Sequence, residues 1–342
     1  MLKILKEKAD SVDIDFIILW VDGTDPDWVE EYHKFSSGSG PKNTVFYRDW
    51  DNLHYIFRAF EKFTPWVRQI HFVTWGHLPK WLNVDHPKLN IVRHEDILDG
   101  ECLPVFNSNA IEPNIHRIQG LSEHFVLFND DLFITAALSP ERFFQNGLPT
   151  DACIMNTLSS SSGVGHFVLN NLEILNRHFD KKTAMKKNLS KWFHIAYGKE
   201  LLRSLFLLPW PRFTGFVDHH QPQPFLKSTF KEVWEKEKEI LKQTSASRFR
   251  NCNDINQYLF RYWQFIKGSF VPISLKDTQY VTLDMDELRS GKVTRLITAN
   301  KYSMICLNDG ESIRTEEEFE EAKTIIKEAF ETILPEKSSF EV

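Results

Sequence analysis

The stretch "IDFIILWVDGTDP", residues 14–26, decides the fold. Its first eight residues are dominated by apolar, largely β-branched side chains, and the run stops at once on a turn-forming Asp-Gly-Thr-Asp-Pro. That pattern predicts a parallel strand buried on both faces, with the loop delivered to its carboxyl end. Loops at that end hold ligands in open α/β sheets.

Working outward, "QIHFVTW" (69–75), "KLNIVRH" (88–94) and "HFVLF" (124–128) read as further short strands. From Leu53, the apolar residues Ile56, Phe57, Phe60 and Phe63 follow helical spacing until Pro65, so this helix covers the sheet. "NSNAIEPNIHRI" (107–118) reads as a polar helix and "SSGSG" (36–40) as a flexible connection. Strand and helix alternate, which predicts an α/β, Rossmann-like core over residues 12–150.

Beyond about Pro149 the pattern changes. "LSSSSGVG" (158–165) is a small-residue loop, while "NNLEILNRHF" (170–179), "KNLSKWFHIAYGKELLRSLFLL" (187–208), "FKEVWEKEKEILKQT" (230–244) and "DINQYLFRYWQFI" (254–266) carry helical periodicity. A helical insertion or subdomain over 151–270 is expected. Between those helices, "PWPRFTGFVDHHQPQPF" (209–225) is too stiff for a linker and too irregular for an element. The strands "TQYVTL" (278–283) and "KYSMICLN" (301–308) and a closing helix at 316–334 pack residues 271–342 back on the core. The apolar face of that helix is Phe319, Ala322, Ile325, Ile326, Ala329 and Ile333.

Composition sets outer bounds. The 342 residues are 42% hydrophobic and 13% aromatic, enough for a substantial core and incompatible with a disordered chain. A net charge of -6 gives no basic field for nucleic acid. Cys102, Cys153, Cys252 and Cys306 stand far apart with no metal-binding spacing, and read as reduced thiols. No run approaches the ~18 apolar residues of a transmembrane segment. These readings place the chain in the cytoplasm, free or peripheral at the inner face of the membrane.

Two adjacent acids interrupt "VLFNDDLFI" (126–134). Asp130 and Asp131 at a strand end need a cation, basic side chains or water, because unpaired charge is costly to bury. The plain reading is an N-cap or a solvated turn; the alternative is a divalent metal site.

Four regions read together resemble the Stealth family of sugar-phosphate transferases: "IDFIILWVDGTDPDW", the long stretch from Phe46 through "FNDDLF", "HHQPQPF" and "RFRNCNDINQYLFRYW". The family includes bacterial capsular and exopolysaccharide phosphotransferases and the lysosomal-enzyme GlcNAc-1-phosphotransferase. The resemblance implies a nucleotide-sugar-binding, glycosyltransferase-A-like core. It also implies transfer of a sugar-1-phosphate from a UDP-sugar to the hydroxyl of an oligo- or polysaccharide acceptor, free or lipid-linked, with UMP departing. Neither nucleic acid nor a transmembrane segment enters this reading. The alternative is a metal-dependent glycosyltransferase that releases UDP; a third is a glycan-binding module.

In-line attack at phosphorus needs neutralised phosphate oxygens, a base and cationic donors. The resemblance implies Mg²⁺ or Mn²⁺ on Asp130 and Asp131 and a nucleotide on the loop with Trp20, Asp22, Gly23 and Asp25, although "DGTDP" alone is satisfied by an ordinary β-turn. It implies His220 as base in a stiff "HQPQP" loop, with His219 one register away, and Arg250 as phosphate clamp, with Arg248 as its alternative. Asn107, Ser108, Glu112 and Arg117 are expected to hold substrate; helix capping and an i,i+4 pair of Glu112 with His116 explain the same residues. Arg48, Asp49 and Asp51 assist the donor, or simply start the next helix.

Overall fold

The computed structural model describes residues 12–36, 48–159, 164–310 and 312–342. Most of the connection at 36–40 and of the serine run at 159–162 lies outside them.

The strands in chain order are β1 (Ile14–Leu19), β2 (Gln69–Thr74), β3 (Leu89–Arg93), β4 (His124–Asn129), β5 (Leu132–Ile134), β6 (Phe144–Gln145), β7 (Leu148–Asp151), β8 (Gln223–Leu226), β9 (Val271–Pro272), β10 (Thr278–Thr282) and β11 (Met304–Asn308). The central sheet runs β3-β2-β1-β4-β8. Its first four strands are parallel, and β8 is antiparallel to β4. The α/β expectation holds.

Alternation along β1 and β4 divides the core. Ile17, Phe125 and Leu127 belong to one buried cluster, and Phe16, Ile18, Val126 and Phe128 to a second on the other face. Both faces are therefore covered, which is why the strands read as continuous apolar runs. The helix Leu53–Phe63 packs in the second cluster through Ile56, Phe57 and Phe60. Asp15 sits inside β1 with no exposure, held by Arg68 Nε at 2.8 Å, His71 Nε2 at 3.0 Å and the Ser122 amide at 2.8 Å.

Three local expectations change. Residues 107–118 do not form one helix: Ser108–Ile111 is α-helical, and Glu112–Arg117 tightens into a 3₁₀ turn around Pro113. A proline cannot donate to the i−4 carbonyl, so α-geometry stops there. Residues 187–208 break into Leu189–Trp192, Ile195–Glu200 and Leu201–Phe206, with Gly198 at φ 54° between turns. The third concerns the proline-rich stretch, which expected no element yet ends in β8. Pro224, which has no N–H to donate, is tolerated because β8 is the edge strand of the sheet among the described residues.

The chain stretches also interleave. β8 completes the central sheet, while β11 pairs antiparallel with β5 and parallel with β10. The register Cys306↔Leu132 brings the residues after β11 beside those between β4 and β5, and the Leu307 amide donates to the Asp131 carbonyl at 2.9 Å. Among the described residues, no helix is long and apolar enough to cross a membrane.

Candidate active site

A cavity of ≈ 810 Å³ opens at the carboxyl ends of β1, β2 and β4, lined there by Leu19, Trp20, Val21, Val73 and Asn129–Asp131. The strand order reverses between β1 and β4, and a crevice at such a switch point is where open α/β sheets bind ligands. Its lining also includes Asn107, Ser108, Asn109, Glu112, Arg250 and Tyr258, together with Arg48, Asp49, Asp218, His219, His220 and Asp309.

His220 Nε2 lies 3.1 Å from Asp131 Oδ2. Burial alone lowers the imidazole, but the hydrogen bond and charge of Asp131, with Glu112 and Asp130 behind it, outweigh that and raise His220 above the ordinary histidine value. His219 also faces the cavity; burial pulls it down to about 4, and its Nε2 is buried without a hydrogen-bond partner. The two histidines are thus held in opposite states: His219 neutral, His220 poised to carry a proton.

The loop that aims them is anchored by a buried ion network. Arg261, 1% exposed, gives Nε and Nη2 to Asp151 at 2.7 and 2.9 Å and Nη1 to Asp218 Oδ1 at 2.7 Å. Tyr262 donates its hydroxyl to the other Asp218 oxygen at 2.5 Å. Burial pushes Asp218 up to about 6 against the pull of Arg261.

Asp130 and Asp131 occupy the turn between β4 and β5. Burial first, and the charge of Asp131 second, push Asp130 up to about 7. Asp131 Oδ1 is buried without a hydrogen-bond partner, while Oδ2 accepts from His220 and from Cys306 Sγ at 3.2 Å. Asp309, just past the end of β11, lines the same cavity; burial raises it to about 6, with Arg48 Nη1 3.7 Å away. Sequence reading missed Asp309, yet "ICLNDG" repeats the strand-Asn-Asp signature of "VLFNDD" and was open to the same argument.

Glu112 is pushed up to about 7 by burial, against the Gln257 amide at 3.0 Å and the nearby Arg250. Arg250 Nη2 donates to Ser108 Oγ at 3.3 Å. Asn107 caps the short helix through the Asn109 amide and donates to Asp254 at 2.8 Å, so its capping role and its place in the wall coexist.

Other expected residues lie elsewhere. Arg117 stacks on Trp234 and reaches Ile97 O and Asp99, away from the cavity, because the 3₁₀ turn rotates it off the face that α-geometry predicted. His116 goes with it, against Phe230 and Trp234, and the expected pair with Glu112 does not form. Asp22, Gly23 and Asp25 do not line the wall, which ends at Val21. Asp22 closes a turn on the Thr24 amide and hydroxyl, and Asp25 caps the helix Pro26–Phe35 through the Asp27 and Trp28 amides. Each acid spends one oxygen, Oδ1, on local donors, as the plain turn reading anticipated. Asp51 pairs with Lys327 at 3.7 Å. Arg248 donates to Leu103 O and stacks on Phe35, outside the cavity, so position favours Arg250.

Comparison with known proteins follows the same regions. The description "Stealth protein CR1, conserved region 1" matches residues 12–40, and "Stealth protein CR2, conserved region 2" matches residues 46–151. The chain is 43% identical over 336 residues to the capsular polysaccharide phosphotransferase WcwK of Streptococcus pneumoniae, covering 96% of this chain and 98% of that one. It is 40% identical to the receptor polysaccharide phosphotransferase WefC of Streptococcus gordonii, covering 96% and 99%. Among solved structures it is similar to the galactosyltransferase LgtC in complex with donor and acceptor sugar analogues, at 8% identity and TM-score 0.39, covering 91% of this chain and 95% of that one. So distant a likeness leaves the fold to be read from the strands themselves.

Proposed function

The chain belongs to the Stealth family of polysaccharide phosphotransferases, and from that premise we propose that it moves a hexose- or N-acetylhexosamine-1-phosphate from a UDP-sugar to a glycan hydroxyl in capsular or cell-surface polysaccharide synthesis. The product is a phosphodiester, and UMP leaves. One observation carries this reading: a single cavity is lined by His220 hydrogen-bonded to Asp131 and by Arg250 bonded to Ser108.

The acceptor oxygen attacks the sugar-bearing phosphorus as the bond to the UMP oxygen breaks. With Nε2–H donating to Asp131, the His220 lone pair lies on Nδ1, and that atom takes the acceptor proton. The Arg250 guanidinium meets the charge that grows on the non-bridging oxygens, an interaction stronger in the transition state than before it.

A divalent Mg²⁺ or Mn²⁺ belongs to this proposal. The buried, unpartnered Asp131 Oδ1 and the raised Asp130 and Asp309 line the same cavity as hard oxygen donors, which fits such an ion. Asp130, Asp131 and Asp309 would hold it, and when bound it supplies neutralisation of the pyrophosphate oxygens. Cys306 Sγ lies close to the possible ligand atoms of Asp131 and His220, but burial keeps its thiol protonated, which suits donation to Asp131 rather than ligation.

Mass spectrometry of the nucleotide released from UDP-sugars in the presence of glycan acceptors tests the reading. UMP with a sugar-phosphate adduct on the acceptor is the expected outcome. UDP would transfer the site to the glycosyltransferase alternative.

A further inference from the structure

Residues 181–212 hold six lysines and two arginines against one glutamate, a net +7 within a chain of net -6. The same segment concentrates exposed apolar surface. Among the described residues twelve large apolar side chains are exposed, and more than half fall between Leu189 and Trp210. Ile195 is 87% exposed, Phe206 74% and Trp210 51%.

The helix Leu201–Phe206 is turned inside out. Leu202, Leu205 and Phe206, spaced for one face, are exposed, whereas Ser204 is fully buried and accepts the Met155 amide at 3.0 Å. The inversion is held in place rather than loose. Lys181 inserts its ammonium beneath the segment and donates to Leu207 O at 2.6 Å and Trp210 O at 2.9 Å. Lys182, Lys186, Lys187, Lys199 and Arg212 are exposed in the same segment as the apolar face.

An apolar face of Leu, Phe and Trp rimmed by lysine and arginine is the composition that lies on an anionic bilayer, with rings at the headgroup level and cations on the lipid phosphates. A second copy of the chain is the poorer occupant, because a two-fold contact through this patch would oppose one basic surface to another. The structure assigns this surface as a docking face for an anionic lipid bilayer. The assignment does not rest on the transfer chemistry; in the chain the patch ends at Arg212, eight residues before His220.

Co-sedimentation of the full chain with vesicles tests it, using phosphatidylglycerol mixed into phosphatidylcholine against phosphatidylcholine alone, at low and high salt. The expected result is partition at least about tenfold stronger to the anionic vesicles, weakened by salt. Leu202→Glu/Phe206→Glu and Lys186→Glu/Lys187→Glu should each lower partition about tenfold or more while thermal unfolding stays that of the parent. Equal partition to both vesicle types, no partition, or full retention by both double variants would overturn the assignment. So would a wild-type dimer that the variants dissociate without any vesicle binding.

Discussion

Arg261 and Asp218 are joined at 2.7 Å inside the protein, two residues before the histidine that faces Asp131. The bond fixes the start of a loop that has no strand until Gln223, so the placement of His220 depends on a helix 40 residues later in the chain. Asp218→Asn keeps the volume but removes the charge that Arg261 grips. We expect kcat to fall on the order of tenfold with donor affinity unchanged, since the loop and not the nucleotide pocket loosens. Equal losses in kcat and donor affinity, measured by steady-state kinetics and calorimetry, would contradict a positioning role.

His220→Ala should lower kcat roughly 10²- to 10⁴-fold, the usual contribution of a positioned general base. His219→Ala should cost far less, because burial holds that ring neutral at about 4 and it pairs with no carboxylate. If the order of the two losses were reversed, the base would be His219.

Arg250→Lys should recover only part of the rate lost in Arg250→Ala, because a point charge cannot present two parallel donors to a phosphate. Full recovery in single-turnover assays would mean that charge alone matters there.

Asp131→Asn and Asp309→Asn should each weaken Mn²⁺ binding by at least about tenfold, as read by metal titration followed magnetically without substrate. Chelator should abolish turnover in the parent. Retained Mn²⁺ affinity in Asp309→Asn would remove Asp309 from the ligand set, and full activity with chelator would remove the metal.

Stability should carry a histidine signature. Burial lowers His116 from 6.5 to about 4, so between those values the unfolded chain binds a proton that the folded chain refuses. Its stability contribution is present above pH 6.5 and is lost as pH falls towards 4. Relative to His116→Phe, the parent should therefore lose about 1–3 kcal/mol across that window in denaturant titrations. A pH-independent difference would refute the assignment.

What the sequence determined by itself is local. The runs at 14–19, 69–74, 89–93 and 124–129 announced buried parallel strands through their side-chain chemistry, and the acids after "VLFN" marked the strand end where the cavity opens. Asp130, Asp131, His220 and Arg250 were legible because each sits at a punctuation point of its own segment: a strand end, a proline-stiffened loop, a helix approach.

Only the tertiary structure decided which of the distant groups meet. The β5–β11 register brings Asp309 to the cavity that Asp131 lines, and the Arg261 network aims His220 at Asp131 across 89 residues of chain, which no periodicity encodes. Arg117 and Asp22 were misplaced for the complementary reason: one 3₁₀ turn at Pro113, or one residue past the end of the wall at Val21, takes a side chain out of the cavity, and side-chain direction is set by backbone geometry rather than by residue type.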